Sequence, residues 1–290
     1  MSLREKRVKY QITRDAPPAM EWRKYEQLIW GKWNKLLSSS TDEREFQKFL
    51  EQHPSLLPGA FGRLGGSGHT PFPSAVITKP LLPGIRTQVP DFLWIATDSD
   101  TTYPTLIELE SPAKLWFTRN GQPSAKLTKA RNQLNDWKVW FSENKSTFKE
   151  SYHLPSILRR RFLRPHYVLV YGRREEASRT ENITKKRSQL KRADEDLMTY
   201  DRLAPDRKYR NLMVVKVTPE GYDAAAVPPT LKLGPRLVKH HPIIANKDRA
   251  VANNPYISKE RKKFLIERFP YWDKWARNGA RYRFSPRDEE

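Results

Sequence analysis

The sequence of 290 residues contains no cysteine. Without thiols the chain forms neither a disulfide nor a thiolate-ligated zinc site. Histidine is also scarce, with six residues, and none of them are spaced as H-x-x-x-H. The adjacent pair His240 and His241 diverges on any regular element of secondary structure. We therefore expect no zinc site.

Long apolar runs are absent as well. The longest are short stretches such as "HYVLVYG", well below the roughly 20 apolar residues of a transmembrane helix. The amino-terminal segment "MSLREKRVKYQITRD" carries charges but no apolar core, so it does not resemble a signal peptide. The glycine-rich "GRLGGSGHTPFP" lacks the G-K-[S/T] ending of a phosphate-binding P-loop. We expect a cytoplasmic protein without an ATP site.

Acidic residues are few relative to basic ones. The chain has 54 Lys and Arg against 33 Asp and Glu, a net charge of +21. An excess of this size indicates a polyanionic partner, first a nucleic acid and second an acidic membrane surface. Two basic runs, "RRRFLRP" and "KKRSQLKR", are candidates for contact with a DNA backbone, the alternative being solvated surface charge. The candidate residues are Arg159, Arg160, Arg161, Lys185, Lys186, Arg187, Lys191 and Arg192.

The hydrophobic periodicity predicts an α/β protein. Helices are predicted over residues 20–37, 42–53, 125–141, 183–193 and 259–276, and strands over residues 88–96, 105–110, 167–171 and 212–217. The first two strands are expected to pair as a hairpin. The Gly- and Pro-rich residues 57–83 are expected to form a loop, and few strand signals occur beyond residue 219. This order of elements is typical of a mixed sheet flanked by helices.

Carboxylates stand at the ends of the two hairpin strands. In "PTLIELESPAKLWF" a buried strand ends with Glu108 and Glu110, whose side chains share one face. Asp91 follows a proline early in the neighbouring strand, so a hairpin brings the three acids to one end of the sheet. Three carboxylates without His or Cys suit a hard cation such as Mg²⁺. The alternative is that these acids form surface ion pairs with the abundant Lys and Arg.

Short motifs then indicate a family. "PDF" at residues 90–92 and "IELESP" at residues 107–112 resemble the PD-(D/E)xK nuclease signature. Four further segments, "EREFQKFLEQHPSLL", "SAKLTKARNQLNDW", "YVLVYGRREE" and "MTYDRL", resemble in the same order parts of the DUF4263 domain of Shedu, a family of prokaryotic anti-phage defence nucleases. The resemblance implies a PD-(D/E)xK restriction-endonuclease-like core over residues 41–218. Residues 1–40 would then be a basic helical arm and residues 219–290 a carboxy-terminal extension.

The resemblance also implies roles for individual residues. Asp91 and Glu108 would bind the metal, Mg²⁺ or Mn²⁺, and Glu45 would be the first-helix acid that completes the site. Gln133 would be the helix glutamine that orients the site, since its amide can donate to a carboxylate while accepting from a second donor. Its alternative is a solvated helix glutamine. A homo-oligomer, either tetramer or dimer, is implied as well.

Glu110 departs from the family pattern, which has lysine at this position. A glutamate cannot stabilise negative charge on a phosphate, but it can bind metal or act as a general base. A lysine from elsewhere can supply the missing cation. Lys126 shares a helix face with Gln133 and is the preferred candidate, with Lys129 and Lys114 behind it. For each lysine the alternative is phosphate contact or a solvated charge, and loss of catalysis is a further possibility.

Two main functions follow from these observations. The first is a Mg²⁺-dependent endonuclease that cuts or nicks invading double-stranded DNA. The second is a non-catalytic module that binds DNA or senses DNA ends on a nuclease fold, which Glu110 favours. A third, an RNA-associated protein, is disfavoured by the acids at the strand ends. The aromatic residues of the last predicted helix either stack on unpaired bases or pack into the core, and we expect packing.

Overall fold

The computed structural model describes residues 16–61, 69–84, 87–235, 237–278 and 290. The helices are α1 Trp22–Ser39, α2 Glu43–Gln52, α3 Ala125–Glu143, α4 Lys145–Ser151, α5 Ser156–Arg159, α6 Arg174–Ala177, α7 Glu181–Gln189, α8 Lys247–Asn253 and α9 Lys259–Arg277. The strands are β1 Phe72–Thr78, β2 Phe92–Thr97, β3 Thr101–Leu109, β4 Phe162–Leu163, β5 His166–Val170, β6 Glu195–Met198, β7 Met213–Thr218, β8 Gly221–Ala226 and β9 Ile244–Ala245. Short 3-10 turns lie at Pro54–Leu56, Tyr200–Arg202, Arg207–Tyr209 and His241–Ile243.

The strands form one mixed sheet in the order β6-β5-β3-β2-β1-β7-β8-β9, with β4 beside the start of β3. The predicted hairpin is confirmed, because β2 and β3 pair antiparallel from Phe92 opposite Ile107 to Thr97 opposite Thr102. Strands β3, β5 and β6 run parallel to one another. Strands β1 and β7 run in the same direction, since β1 is antiparallel to β2 and parallel to β7. The carboxyl ends of these five strands therefore meet at one edge of the sheet, called the carboxyl edge below.

Helices cover both faces of the sheet, as predicted. On one face α1 and α2 pack with Phe92 and Trp94 of β2 in one hydrophobic cluster, while α3 and α9 pack with Leu93 and Ile95 in the other. This alternation follows from the two-residue period of a strand, and both sides of β2 are buried. The hairpin end is therefore held between two apolar layers.

Two expectations about irregular segments were wrong. The Gly- and Pro-rich passage contains β1, a fully buried strand that pairs with β2 and β7. Prolines 71, 73, 80 and 83 surround its short apolar run and hide the strand signal. Beyond residue 219, β8 pairs with β7 and β9 with β8, so this segment extends the same sheet. The glycine-rich residues 62–68 lie outside the described residues.

Helix α9 buries its aromatic face, and that expectation is confirmed. Phe269, Trp272 and Trp275 are buried in the core, whereas Tyr271 is partly exposed. Burial of the two tryptophans removes their ring faces from any contact with bases. None of the described helices is long and apolar enough to cross a membrane.

Gly172 allows the chain that follows β3 to approach the end of β5. Its φ is +59°, and a Cβ there would lie 2.6 Å from the Lys114 carbonyl oxygen and 3.0 Å from Trp116 Nε1.

We expect Gly172→Ala to lower the free energy of unfolding by about 2 kcal/mol or more, because backbone strain and a backbone clash add. At Gly31, inside α1, a Cβ would meet nothing within 4 Å. Urea unfolding should show Gly31→Ala neutral or stabilised by up to about 1 kcal/mol, and equal losses in both variants would contradict this account.

Candidate active site

Asp91 is fixed between three strands at the carboxyl edge. Its N–H donates to the Ile107 carbonyl (3.1 Å), and its Oδ2 accepts from the Leu109 N–H (2.7 Å). Its Oδ1 pairs with the ammonium of Lys79, the residue that follows β1. Asp91 is only 6% exposed, so burial raises the pKa of its carboxyl, and Lys79 opposes that rise. The carboxylate thus has a defined position with one cation beside it.

Glu108 lies at the end of β3 with one oxygen bound and one free. Its Oε1 accepts from Gln133 Nε2 on α3 at 2.6 Å. Its Oε2 is buried and makes no hydrogen bond to the described residues. Burial raises the pKa of Glu108 well above its usual range, and the Asp91 carboxylate raises it further, whereas the Gln133 hydrogen bond lowers it. A buried oxygen without a donor is the ligand that an added cation would satisfy.

Glu110 pairs with Lys114, four residues along the chain. The Glu110 N–H donates to the Val170 carbonyl at 2.9 Å, so the first residue after β3 still pairs with the end of β5. Burial lowers the pKa of Lys114, while the charges of Glu43 and Glu108 raise it. The ammonium of Lys114 therefore lies near acids from α2 and from β3.

Helix α2 directs Glu43, Gln47 and Glu51 along one face, at spacings of four residues. Burial and the Asp91 charge raise the pKa of Glu43, and Glu51 accepts from Gln47 and Thr78. Glu45 is exposed, because two residues turn the helix by about 200°. The first-helix acid near Asp91 and Glu108 is therefore Glu43, and sequence spacing along α2 is the signal that would have found it.

The lysines do not all reach the acids. Lys126 and Lys129 are exposed on α3, and their positive charges lower the pKa of Lys114. Lys79 and Lys114 are the lysines paired with site acids. Lys79 was not predicted, because its position at the carboxyl edge depends on β1. A cavity of about 530 Å³ opens beside Lys79, and the residues that line it do not include Asp91, Glu108 or Glu110.

Tyr200 closes the buried side of the site. It stacks on Trp33 and packs against Phe46, and its hydroxyl makes no hydrogen bond to the described residues. Burial raises the pKa of Tyr200, and the charges of Glu43 and Asp91 raise it further. It is a second unsatisfied buried polar group beside the acids.

The two predicted basic runs are divided between the edges of the sheet, with the first run and the end of the second at the amino edge. Arg159, Arg160 and Arg161 precede β4 and β5, and Lys191 and Arg192 precede β6. They therefore lie at the amino ends of these strands, opposite Glu108. Arg192 also donates to Asn135 (2.6 Å), and Lys191 pairs with Asp196 (3.2 Å).

The remaining three predicted residues lie on α7. Lys185 pairs with Glu181 on the same helix at 2.7 Å. Lys186 donates to the Gly121 carbonyl at 2.8 Å, and the guanidinium of Arg187 lies 5.6 Å from the Trp116 ring centroid. Because Gly121 and Trp116 follow β3, this part of α7 reaches the carboxyl edge.

The acids fit a cation that takes few protein ligands. Within the described part of the chain, no three His, Cys, Asp or Glu side chains group closely enough to hold a metal. Mg²⁺ is usually bound through one or two carboxylates, keeping waters and taking oxygens from a phosphate substrate. Asp91 and the free Oε2 of Glu108 match that mode of binding. They do not match a zinc or calcium site, which takes more ligands from the protein.

Comparison with known families places this geometry. The family model "Shedu protein SduA, C-terminal" matches residues 40–204, more than half of the chain. The chain belongs to the Shedu family. A search of curated proteins gave no match. In this Shedu chain the matched region contains β1 to β6 and every predicted catalytic and metal-binding residue. Membership associates the chain with defence against phages.

Replacing Glu108 by glutamine should stabilise this Shedu chain when no metal is present. The raised pKa means that wild-type stability falls as the pH rises above the ordinary value of 4.5. Glu108→Gln removes that ionisation and retains the acceptor for Gln133. We expect a gain on the order of 1–2 kcal/mol in EDTA at pH 8.5, narrowing toward pH 5, since each pKa unit is worth about 1.4 kcal/mol. Urea unfolding across this pH range measures it.

Glu195 provides the matched control. It is fully buried, and it accepts from Lys138 (2.6 Å), Arg131 (3.4 Å) and Arg192 (3.4 Å). Glu195→Gln removes the counter-charge that these cations share, although Lys138 also pairs with Asp194 (2.9 Å). We expect a loss of about 3 kcal/mol. If Glu108→Gln also destabilises the chain at pH 8.5, the Glu108 carboxylate already has a stabilising partner in the protein and does not need an added cation.

Proposed function

We propose that the chain is a metal-dependent DNA endonuclease with a PD-(D/E)xK active site that cuts or nicks invading double-stranded DNA. The observation that carries this proposal is the pair of buried carboxylates, Asp91 and Glu108, with the free Oε2 of Glu108 at the carboxyl edge. Family membership supports a defence role. The net charge of +21 supports a nucleic-acid partner.

The residues divide the work by their contacts. Asp91 and Glu108 would hold Mg²⁺, or Mn²⁺ in its place, and Gln133 fixes the orientation of Glu108 through Oε1. The cation, when bound, supplies a water of lowered pKa and neutralises charge on the phosphodiester. Glu110 either joins the ligands or accepts a proton from water, and its pairing with Lys114 sets its position.

Lys114 is now the preferred source of the cation missing at position 110, ahead of the Lys126 of the sequence-based hypothesis. Its ammonium reaches Glu110 and lies near Glu43 and Glu108, whereas Lys126 is exposed. Lys79 holds Asp91 and would be a positioning residue. Both lysines lie at the edge where a phosphate must approach the carboxylates.

Cleavage of plasmid and linear DNA tests the proposed activity. Wild type should cut or nick with Mg²⁺ and not with EDTA, and Asp91→Ala should lower the rate by about 10³-fold or more. Asp91→Asn keeps the shape and the Leu109 hydrogen bond, so an equal loss assigns the effect to charge. If the DNA stays equally intact with wild type and with Asp91→Ala, in Mg²⁺ and in Mn²⁺, the chain is not a nuclease of this kind.

The same assay ranks the lysines. We expect Lys114→Ala to slow cleavage by about 10²-fold or more, the usual effect of losing one group that stabilises transition-state charge. Lys126→Ala should stay within about threefold, with Lys129→Ala as its control on the same exposed face. The opposite ranking would make Lys126 the source of the cation missing at position 110.

The second candidate function is a non-catalytic module that binds DNA or senses DNA ends. Glu110 in place of lysine is the observation that favours it. Binding of DNA without cutting, under all metals tested, would support it. A homo-oligomer, tetramer or dimer, remains a prediction from the family resemblance, and light scattering of the purified chain tests it.

A further inference from the structure

Three arginines that the catalytic proposal does not use meet at the carboxyl edge. Arg174 follows β5, Arg202 follows β6, and Arg187 reaches the same edge from α7. Arg187 lies over the ring of Trp116 (5.6 Å), and Trp116 Nε1 lies 3.0 Å from the Cβ position of Gly172, two residues before Arg174. Arg174 Nη2 also donates to the carbonyl of Asp201, the residue before Arg202 (3.3 Å). These three arginines are called the arginine cluster below.

Asp201, which precedes Arg202 in the chain, is already occupied. Asp201 Oδ1 accepts from Arg173 Nη2 (2.8 Å) and Nε (3.0 Å). Asp201 Oδ2 accepts from the backbone N–H of Arg174 (2.6 Å). Arg173 also donates to the Leu37 carbonyl (2.8 Å), so it is a structural tie to α1. The Asp201 carboxylate therefore positions Arg174 through its backbone N–H, and its ion pair is with Arg173.

The arginine cluster lacks a carboxylate partner among the described residues. Arg174, Arg187 and Arg202 take part in none of the ion pairs formed there, and Arg174 and Arg202 are exposed. Burial lowers the pKa of Arg187, and the charges of Arg202 and Arg174 lower it further. Three adjacent guanidiniums repel one another unless an anion lies among them.

The strand order places this cluster relative to the acids. Glu108 of β3 stands opposite Leu169 of β5, and Leu169 stands opposite Leu197 of β6. Two strand spacings separate β3 from β6, about 10 Å. The acids and the arginine cluster therefore stand at nearby strands of the same edge, where one DNA backbone can contact both.

We propose that the arginine cluster binds a backbone phosphate of duplex DNA that flanks the phosphodiester held at Asp91 and Glu108. This inference rests on the proposed function for the identity of the acid site. The planar forks of arginine match phosphate oxygens, and the stacking on Trp116 holds one fork in place. The carboxyl edge would then carry cleavage chemistry at β2 and β3 and backbone recognition at β5 and β6.

Binding in EDTA tests the proposal without any cleavage. Anisotropy of a labelled 20-base-pair duplex is measured over a range of KCl concentrations. The triple variant Arg174→Gln, Arg187→Gln and Arg202→Gln should bind about tenfold or more weakly at 100 mM salt. The slope of log K against log[KCl] should become shallower by about 0.9, the value for one phosphate contact. Arg202→Gln alone, at an exposed position, should reproduce part of the loss in a folded chain.

The matched control lies at the opposite edge of the sheet. Arg207, Lys208 and Arg210 are exposed in the turn before β7, so replacing all three by glutamine removes the same charge far from the acids. This variant should bind within twofold of wild type. The run Arg159 to Arg161, predicted from sequence, is the rival surface, and its triple glutamine variant is measured beside them.

Each outcome decides the proposal. Equal binding by wild type and by the arginine-cluster variant, or a larger loss from the run Arg159 to Arg161, would overturn it. A cluster-dependent loss of pyrophosphate binding with unchanged DNA binding would also overturn it, because the ligand would then be a small phosphate compound. Cluster-dependent DNA binding without cleavage in Mg²⁺ would leave the proposal standing while the nuclease claim fails.

Discussion

Burial of the Glu108 carboxylate is the constraint on which the site depends. An ionised group without a counter-charge is strongly destabilising in an apolar layer, yet one oxygen of Glu108 accepts from Gln133 and the other is free. The large two-sided core around the hairpin supplies the stability that tolerates this arrangement. The charge of Asp91 disfavours ionisation of Glu108, whereas the charges of Lys79 and Lys114 favour it. The fold therefore holds charge where a cation and a phosphate can relieve it.

Parallel strands concentrate that charge at one edge. Charged side chains stand in a row along this edge, each at or after the carboxyl end of its strand. They are Lys79 after β1, Glu108 of β3, Arg174 after β5 and Arg202 after β6. Asp91 joins them because its strand is antiparallel and begins at the same edge. The amino edge carries cations as well, but there the buried Glu195 at the start of β6 is already paired with Lys138, Arg131 and Arg192. A net charge describes neither distribution, since position relative to strand direction decides which cations can serve the acids.

The sequence predicted the parts that depend on local pattern. The hairpin and α3 were predicted because alternation and 3.6-residue periodicity are complete within those segments. Strand β1 was not, because prolines flank a run of only seven residues whose partners lie far along the chain. Lys79 was missed for the same reason. Glu45 and Glu43 differ by two positions on one helix. Glu43 shares a face with the buried Phe46 and Leu50, so the apolar spacing of α2 indicates Glu43 rather than Glu45.

Glu110 illustrates how a departure from a motif can be compensated locally. A lysine at this position would lie on the same strand face as Glu108. With glutamate there, Lys114 pairs with it from the turn that follows, and the approach of that turn to Gly172 holds the ammonium near Glu43 and Glu108. The site therefore keeps a cation beside its acids although the motif lacks one. The Glu110–Lys114 pair keeps an ammonium beside the acids, but its net charge is zero, whereas a lysine at position 110 would add a positive charge.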